Sequence, residues 1–343
     1  MGVAVAVAAF AWALPAFASY REAWSQLAEV KPGAAIALLV VGLANILSPS
    51  ANQCAALPGL RFRDAVTADW TTSAITNTIP GGSALAIATT WRMYRSYGIA
   101  GRDTARCVVV TGVWDMIVKL STPLVAVAWL SAERPVDAGL LQAALVGTAL
   151  FAVLVVLGVV LLAGPAAADR LGRALDRVRW LGARWPERLH ELRVDTAWLL
   201  RNRWRSLTVW TVAGHANLYL LLVVCLRAVG VTSAELSLAA VLAAFAFGRL
   251  VTALPLSPGG LGVMEVGLTG ALAAVGDAPA ASVVAAVLLF RFLTFALPIP
   301  LGAACWLAWT ARPQAGADGV GAPGGDGADG VGAPGGDGEL SAS

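Results

Sequence analysis

Several stretches of this sequence run for about twenty residues with almost no charge. A helix needs about 20 apolar residues to cross the hydrocarbon core of a bilayer. Inside that core only helices and closed barrels pair all of their own backbone N–H and C=O groups. The candidate spans are 2–19, 34–52, 65–90, 107–130, 138–163, 206–228, 236–254, 258–276 and 280–310, of which 65–90 and 258–276 are interrupted. The expected fold is an all-α integral membrane protein, a bundle of about eight transmembrane helices with two broken or re-entrant elements. Composition agrees: 58% of the residues are hydrophobic and 13% charged, against about 25% charged in a soluble domain. The mean hydropathy is +0.73.

The polytopic region is expected over 1–310. The first apolar run ends near Ala16-Phe17-Ala18, a possible A-x-A cleavage site, but no Lys or Arg precedes it. A signal peptide needs a basic leader, so a retained helix is expected. Residues 311–343 contain GADGVGAPGGD at 316–326 and again, unchanged, at 327–337. Gly, Ala, Asp and Pro at that density cannot bury a core, so a disordered tail is expected.

Charge suggests an orientation. If 20–33 is cytoplasmic and every apolar run crosses once, 91–106 and 164–205 share its side. Those segments hold sixteen Lys and Arg, against Arg61, Arg63, Arg134 and Arg227 opposite. This is the positive-inside pattern; it places loop 164–205 in the cytoplasm and the protein in the cell membrane. Within that loop Leu171, Leu175, Val178 and Leu181 recur at helical spacing among arginines, and Pro186 separates two candidate helices. An amphipathic element lying on the inner leaflet is expected.

Two segments carry Pro-Gly-Gly inside membrane-length apolar sequence: Thr76 to Ser83, with Asn77, Pro80, Gly81 and Gly82, and Thr252 to Gly262, with Pro255, Pro258, Gly259, Gly260 and Gly262. Proline removes a backbone donor and interrupts a helix. Irregular backbone at membrane depth is tolerated only inside protein or beside a polar cavity, and broken helices in corresponding positions point to a transporter-type site. A helix restarting after each break would aim free N–H groups at an anion.

Ionisable residues within spans are costly and mark function. Here they are Asp69, Asp115, Lys119, Arg249, Glu265 and Arg291. Lys119, Arg249 and Arg291 are candidate partners of an anionic headgroup. The carboxylates are candidate counter-charges or proton carriers. Asp115 with Lys119 is also readable as an intrahelical pair, and Arg249 with Glu265 as a structural pair. Cys54, Cys107, Cys225 and Cys305 are dispersed, and His190 and His215 form no ligand cluster, so no metal or cofactor is expected. The sequence lacks the G-x-S-x-G, Walker A and dinucleotide motifs. The arginines are accounted for by topology, so neither soluble-type catalysis nor nucleic-acid binding is expected.

The stretch Arg249-x-x-Thr252-x-x-Pro255-x-Ser257-Pro258-Gly259-Gly260-Leu261-Gly262-Val263-Met264-Glu265 resembles the signature of the lysylphosphatidylglycerol synthase transmembrane-region family, the flippase-like domain. Asn77-x-x-Pro80-Gly81-Gly82 followed by Arg92, Arg95 and Gly98 is similar, as is Arg291-Phe292-x-Thr294 with Pro298 and Gly302. Ser83-Ala84 departs from the glycine and charged residue expected in many relatives. The resemblance covers roughly 1–310. It implies a lipid-handling bundle, whose best-known members move aminoacylated phosphatidylglycerol while a separate soluble domain makes that lipid. Synthase activity is not carried over. The expected function is translocation of an anionic, aminoacylated or polyprenyl-phosphate-linked lipid. The alternative is an accessory subunit of an envelope lipid or glycan synthase or glycosyltransferase. Membrane lipids are the expected partners, with such an enzyme as a second.

Overall fold

The computed structural model describes residues 31–79, 81–133, 185–251 and 263–312, with isolated helical positions at 142, 147, 149, 153 and 173; for 185–201 the backbone alone is described. Apart from those isolated positions, the expected spans 2–19 and 138–163, the amphipathic stretch 171–181 and the tail from 313 lie outside the described residues. Those described are helical, without strand: α1 (Pro32–Ala56), α2 (Phe62–Thr78), α3 (Gly82–Ser96), α4 (Gly101–Glu133), α5 (Trp185–Ala228), α6 (Leu238–Val251), α7 (Val263–Val275), α8 (Ala280–Arg291), a π-turn (Phe292–Ala296) and α9 (Pro298–Thr310).

Four stretches are long and apolar enough to cross a bilayer: Pro32–Ala56, Gly101–Glu133, Asn202–Ala228 and Ala280–Thr310. Their faces turned away from the bundle carry Leu39, Val40, Val125, Val209 and Leu307, all more than half exposed. Such a surface is stable against lipid and not against water. The fold is therefore the all-helical membrane bundle that the apolar runs imply.

The two interrupted segments do not continue across. In the first, α2 and α3 fold into a hairpin. Gly81 takes a left-handed conformation (φ 68°) at its tip, which costs a glycine nothing. A Cβ on Gly82 would sit 2.6 Å from the Ile75 carbonyl oxygen. Both open ends lie together: Asp64 starts α2 beside Arg312 at 3.2 Å, and Ser96 ends α3 bonded to Trp309. The tip lies level with Phe295, whose carbonyl accepts from the Asn77 amide at 3.1 Å. That level is near the middle of Ala280–Thr310.

The second pair, α6 and α7, is also antiparallel. Gly248 lies against Met264, and Gly267 against Phe247. Its open ends meet at the other end of the bundle, where the Asp277 N–H donates to the Glu235 carbonyl and Ser237 donates to Glu133 at 2.6 Å. Thr232 and Glu235 form a capping box there. The Thr232 N–H and hydroxyl donate to the Glu235 carboxylate at 2.7 and 2.8 Å, and this holds its carboxyl below the usual range. Helices of 14 and 13 residues reach only about 20 Å at 1.5 Å per residue. The connection 252–262, with Pro258, Gly259, Gly260 and Gly262, lies outside the described residues, as does Pro80.

Two apolar clusters close the ends. One joins Ala55, Leu60, Met93, Tyr94, Cys107, Leu207 and Trp309. The other joins Leu130, Leu226, Val231, Leu236, Leu272 and Val283. The four cysteines are free.

This geometry corrects the one-crossing-per-run assumption. Because α2 and α3 return to the end they left, Arg61 and Arg63 share an end with Arg92, Arg95, Arg102 and Arg106 rather than opposing them. Lys31, at the start of α1, lies at the other end. Pro186 lies in the first turn of α5, where proline is compatible with a helix start, and Trp185–Ala228 then runs as one continuous helix of 44 residues; the candidate helix before Pro186 lies outside the described residues. Its first 17 residues extend α5 beyond the span by about 25 Å at helical rise.

Two predictions test the arrangement. In a background lacking the four cysteines, single cysteines at Arg61 and Arg102 should label from one side of the membrane, and cysteines at Ser233 and Lys31 from the other. Opposite labelling of positions 61 and 102 would show that the first hairpin crosses. A Cβ on Gly302 would lie 2.1 Å from the Trp70 carbonyl oxygen, and overpacking costs about 1–3 kcal/mol. Gly302→Ala should therefore lower the melting temperature in detergent, whereas Gly112→Ala, with nothing within 4 Å, should not.

Candidate functional site

Polar residues within spans have to face something other than lipid, and here they converge. Between the two end clusters lies a cavity of about 980 Å³ lined from α1 to α9. Asn45, Ser48, Asn52 and Gln53 come from α1, Thr72, Thr76 and Asn77 from α2, Thr211 and His215 from α5.

Proline shapes the walls. Pro49 sits inside α1 and has no N–H for the Asn45 carbonyl; the Ser48 hydroxyl donates to that oxygen instead, at 3.2 Å. Pro298 likewise cannot donate to Thr294, and the helix before it widens into the π-turn, with Leu297 N–H reaching the Phe292 carbonyl at 2.8 Å. Such turns recur at functional sites. This one places Thr294 and Phe295 about one turn after Arg291, with the Arg291 guanidinium 4.7 Å from the Phe295 ring centre.

All three expected cations line the cavity, together with Asp69 and Asp115. Lys119 and Asp115 form the intrahelical pair at 2.9 Å. Asp115 is shared further: His215 Nε2 lies 3.4 Å from it, and Arg249 Nη2 lies 4.0 Å from it and 3.3 Å from the histidine. Two cations thus converge on one carboxylate, and 252–262 contributes no ionisable side chain.

The second carboxylate pairs differently from one sequence reading. Glu265 is bound by Arg291 at 2.7 Å, so the expected Arg249–Glu265 pair is not formed. Glu265 stands behind Arg291 and orients it rather than lining the cavity. The reason is topological: the second hairpin folds Glu265 onto α8 and directs Arg249 toward α4 and α5.

Among the described residues Asp69 has neutral partners only. Gln53 Nε2 donates to one carboxylate oxygen at 3.0 Å, and the Ser50 hydroxyl lies 3.5 Å from the other. The Tyr94 hydroxyl donates in turn to Gln53 Oε1.

Gly81 and Gly82 line the cavity at the first tip. Arg92 does not; it lies over the Trp309 ring at the basic end. Among the described residues no cluster of His, Cys, Asp and Glu could hold a metal ion. His215, Gln53 and Tyr94 were not singled out from sequence. A signal existed: Asn45, Ser48, Asn52 and Thr208, Thr211, His215 recur every three or four residues, a polar stripe on otherwise apolar helices.

The family model described as lysylphosphatidylglycerol synthase TM region matches residues 1–302. The chain belongs to that family. Membership places it among membrane proteins of lipid modification or transport, consistent with a polar cavity inside a lipid-facing bundle. No curated protein matches the chain.

Double-mutant cycles should distinguish the observed pairing. Arg291 and Glu265 are both largely buried, and breaking a buried pair from one side costs about 3–5 kcal/mol. Glu265→Ala should destabilise strongly and couple to Arg291→Ala. Its effect should add independently to that of Arg249→Ala, as read by thermal unfolding in detergent. Coupling between positions 249 and 265 would refute the assignment.

Proposed function

We propose that this protein translocates a lipid with an anionic headgroup, such as an aminoacylated or polyprenyl-phosphate-linked lipid, across the cell membrane. The observation that carries the reading is the convergence of Lys119, Arg249 and Arg291 on one cavity, reached by half-depth hairpins from opposite ends. A headgroup leaving water needs replacement hydrogen bonds and counter-charge at mid-depth. Arginine supplies both, because its planar fork can grip a phosphate with two parallel bonds. The polar walls of α1, α2 and α5 accommodate the rest of the headgroup, and the acyl chains remain in lipid. Hairpins open to opposite ends supply two elements that can move alternately around a fixed site.

The basic end, with Arg61, Arg63, Arg92, Arg95, Arg102, Arg106, Arg203, Arg205 and Arg312, is assigned to the cytoplasm by the positive-inside rule. Loop 164–205 joins α5 at that end and is assigned with it. We read the protein as a carrier rather than an enzyme, with membrane lipids as its partners. One observation favours an accessory role beside an envelope lipid-modifying enzyme or glycosyltransferase: the start of α5 extends past the span at the basic end, a form suited to docking a partner.

The test is headgroup-labelled anionic lipid in liposomes containing the purified protein alone. Movement of label between leaflets supports the carrier; movement that appears only when a partner enzyme is added supports the accessory reading. A charge-assisted hydrogen bond contributes about 1.5–3 kcal/mol, so Arg249→Ala should slow movement about tenfold or more while folded protein accumulates normally. Arg249→Lys should recover part of the rate if charge dominates over fork geometry. Loss of activity only in proportion to folded protein would reduce these residues to packing elements.

A further inference from the structure

Of the three carboxylates grouped around the cavity, Asp69 is set apart. Asp115 lies against Lys119 at 2.9 Å and Glu265 against Arg291 at 2.7 Å. Asp69 has Gln53 and Ser50 instead, both neutral, and no Lys, Arg or His within 4 Å among the described residues. It sits seven residues into α2, between the basic end and the hairpin tip. The cations stand deeper, near the level of the tip.

We propose that Asp69 is a proton-binding site coupled to the anion site, so that the cavity takes up one proton with each anionic headgroup. The inference rests on the transport reading above and names its driving ion.

Charge balance supplies the coupling. Lys119, Arg249 and Arg291 balance Asp69, Asp115 and Glu265 when all six are ionised. Among the described residues the charges of the empty cavity then cancel, and an anion entering it makes the loaded state more negative by one. Protonating Asp69 gives the empty cavity one positive charge, and the anion then restores neutrality. In a medium of low dielectric such a difference is large. By linkage the effect is reciprocal: a bound proton favours the anion, and a bound anion favours the proton.

The surroundings suit a proton better than a metal cation. Gln53 turns its amide nitrogen toward Asp69, because its carbonyl oxygen accepts from Tyr94. A sodium ion would need several oxygen ligands in that position; a proton needs one. Among the described residues the titratable group facing Asp69 is Tyr94 of α3, and the groups around Tyr94 are in turn Cys107 of α4, Cys54 of α1 and Tyr97, none of them cationic. On α9, Cys305 lies near Tyr97 and Arg312 rather than Asp69. The remaining titratable ring of the cavity, His215, belongs to the Asp115 cluster.

The experiment measures binding of a short-chain phosphatidylglycerol to the detergent-purified full-length protein between pH 5 and 8. A phosphodiester keeps its single charge throughout that range. The wild-type affinity should tighten as pH falls, by at most about tenfold per pH unit, the limit for one linked proton. Asp69→Asn, which mimics the protonated state, should bind tightly at every pH without that slope. Asp69→Glu should restore the slope and His215→Gln should retain it.

In liposomes an imposed proton gradient should drive wild-type lipid movement several-fold faster than no gradient, and should leave Asp69→Asn unaffected. A sodium gradient should have no effect. Lipid movement indifferent to the proton gradient would overturn the proton site and leave the transport reading standing. Absence of any movement or binding would overturn both. A pH slope that survives in folded Asp69→Asn, or disappears in His215→Gln alone, would assign the proton elsewhere.

Discussion

Everything in this bundle depends on one requirement: backbone that leaves a helix at membrane depth has to be enclosed by protein. Each unsatisfied amide or carbonyl in hydrocarbon costs several kcal/mol. The first tip meets the requirement with local contacts, Gly82 packed on the Ile75 carbonyl and Asn77 bonded to the Phe295 carbonyl. Those contacts in turn require the last span to approach closely. Gly302 allows this by bringing α9 onto Trp70. The widened turn before Pro298 answers the same requirement, because its carbonyls and donors pair with i+5 spacing where i+4 is blocked.

Enclosing a hairpin tip also creates the space beside it. Helices that stop halfway leave their continuation unfilled, and the two end clusters seal only the ends. Polar side chains that could not face lipid occupy the walls of that space. The cavity therefore follows from the same breaks that make the hairpins, and it holds Lys119, Arg249 and Arg291 away from lipid.

Much of this was legible in the residues. Asp69, Asp115, Lys119, Arg249 and Arg291 each stood out because an ionisable group in an apolar run demands enclosure, and the structure brings all five to one cavity. Asn77-x-x-Pro80-Gly81-Gly82 marked the first tip for a similar reason. The Asp115–Lys119 pair followed from helical spacing. His215 and the α1 polar stripe were passed over because single polar residues in a span carry little signal until their periodicity is compared across helices. Arg249 and Glu265 looked like partners because they flank one break. Neither their partners nor the end of the bundle to which Arg61 and Arg63 belong can be read from spacing along the chain.

The sequence by itself determined the solvent, the helical class, the positions of the breaks and the set of groups that need burial. These are local properties, decided by transfer free energy and by the missing donor of proline. The tertiary structure alone decided that each break turns its chain back rather than across, that Glu265 meets Arg291 and Arg249 meets Asp115 and His215, and that Asp69 is left with neutral partners. Those outcomes depend on which helix lies opposite which, and helix packing selects that by close approach at residues such as Gly302 and Gly248, far in sequence from the groups they bring together.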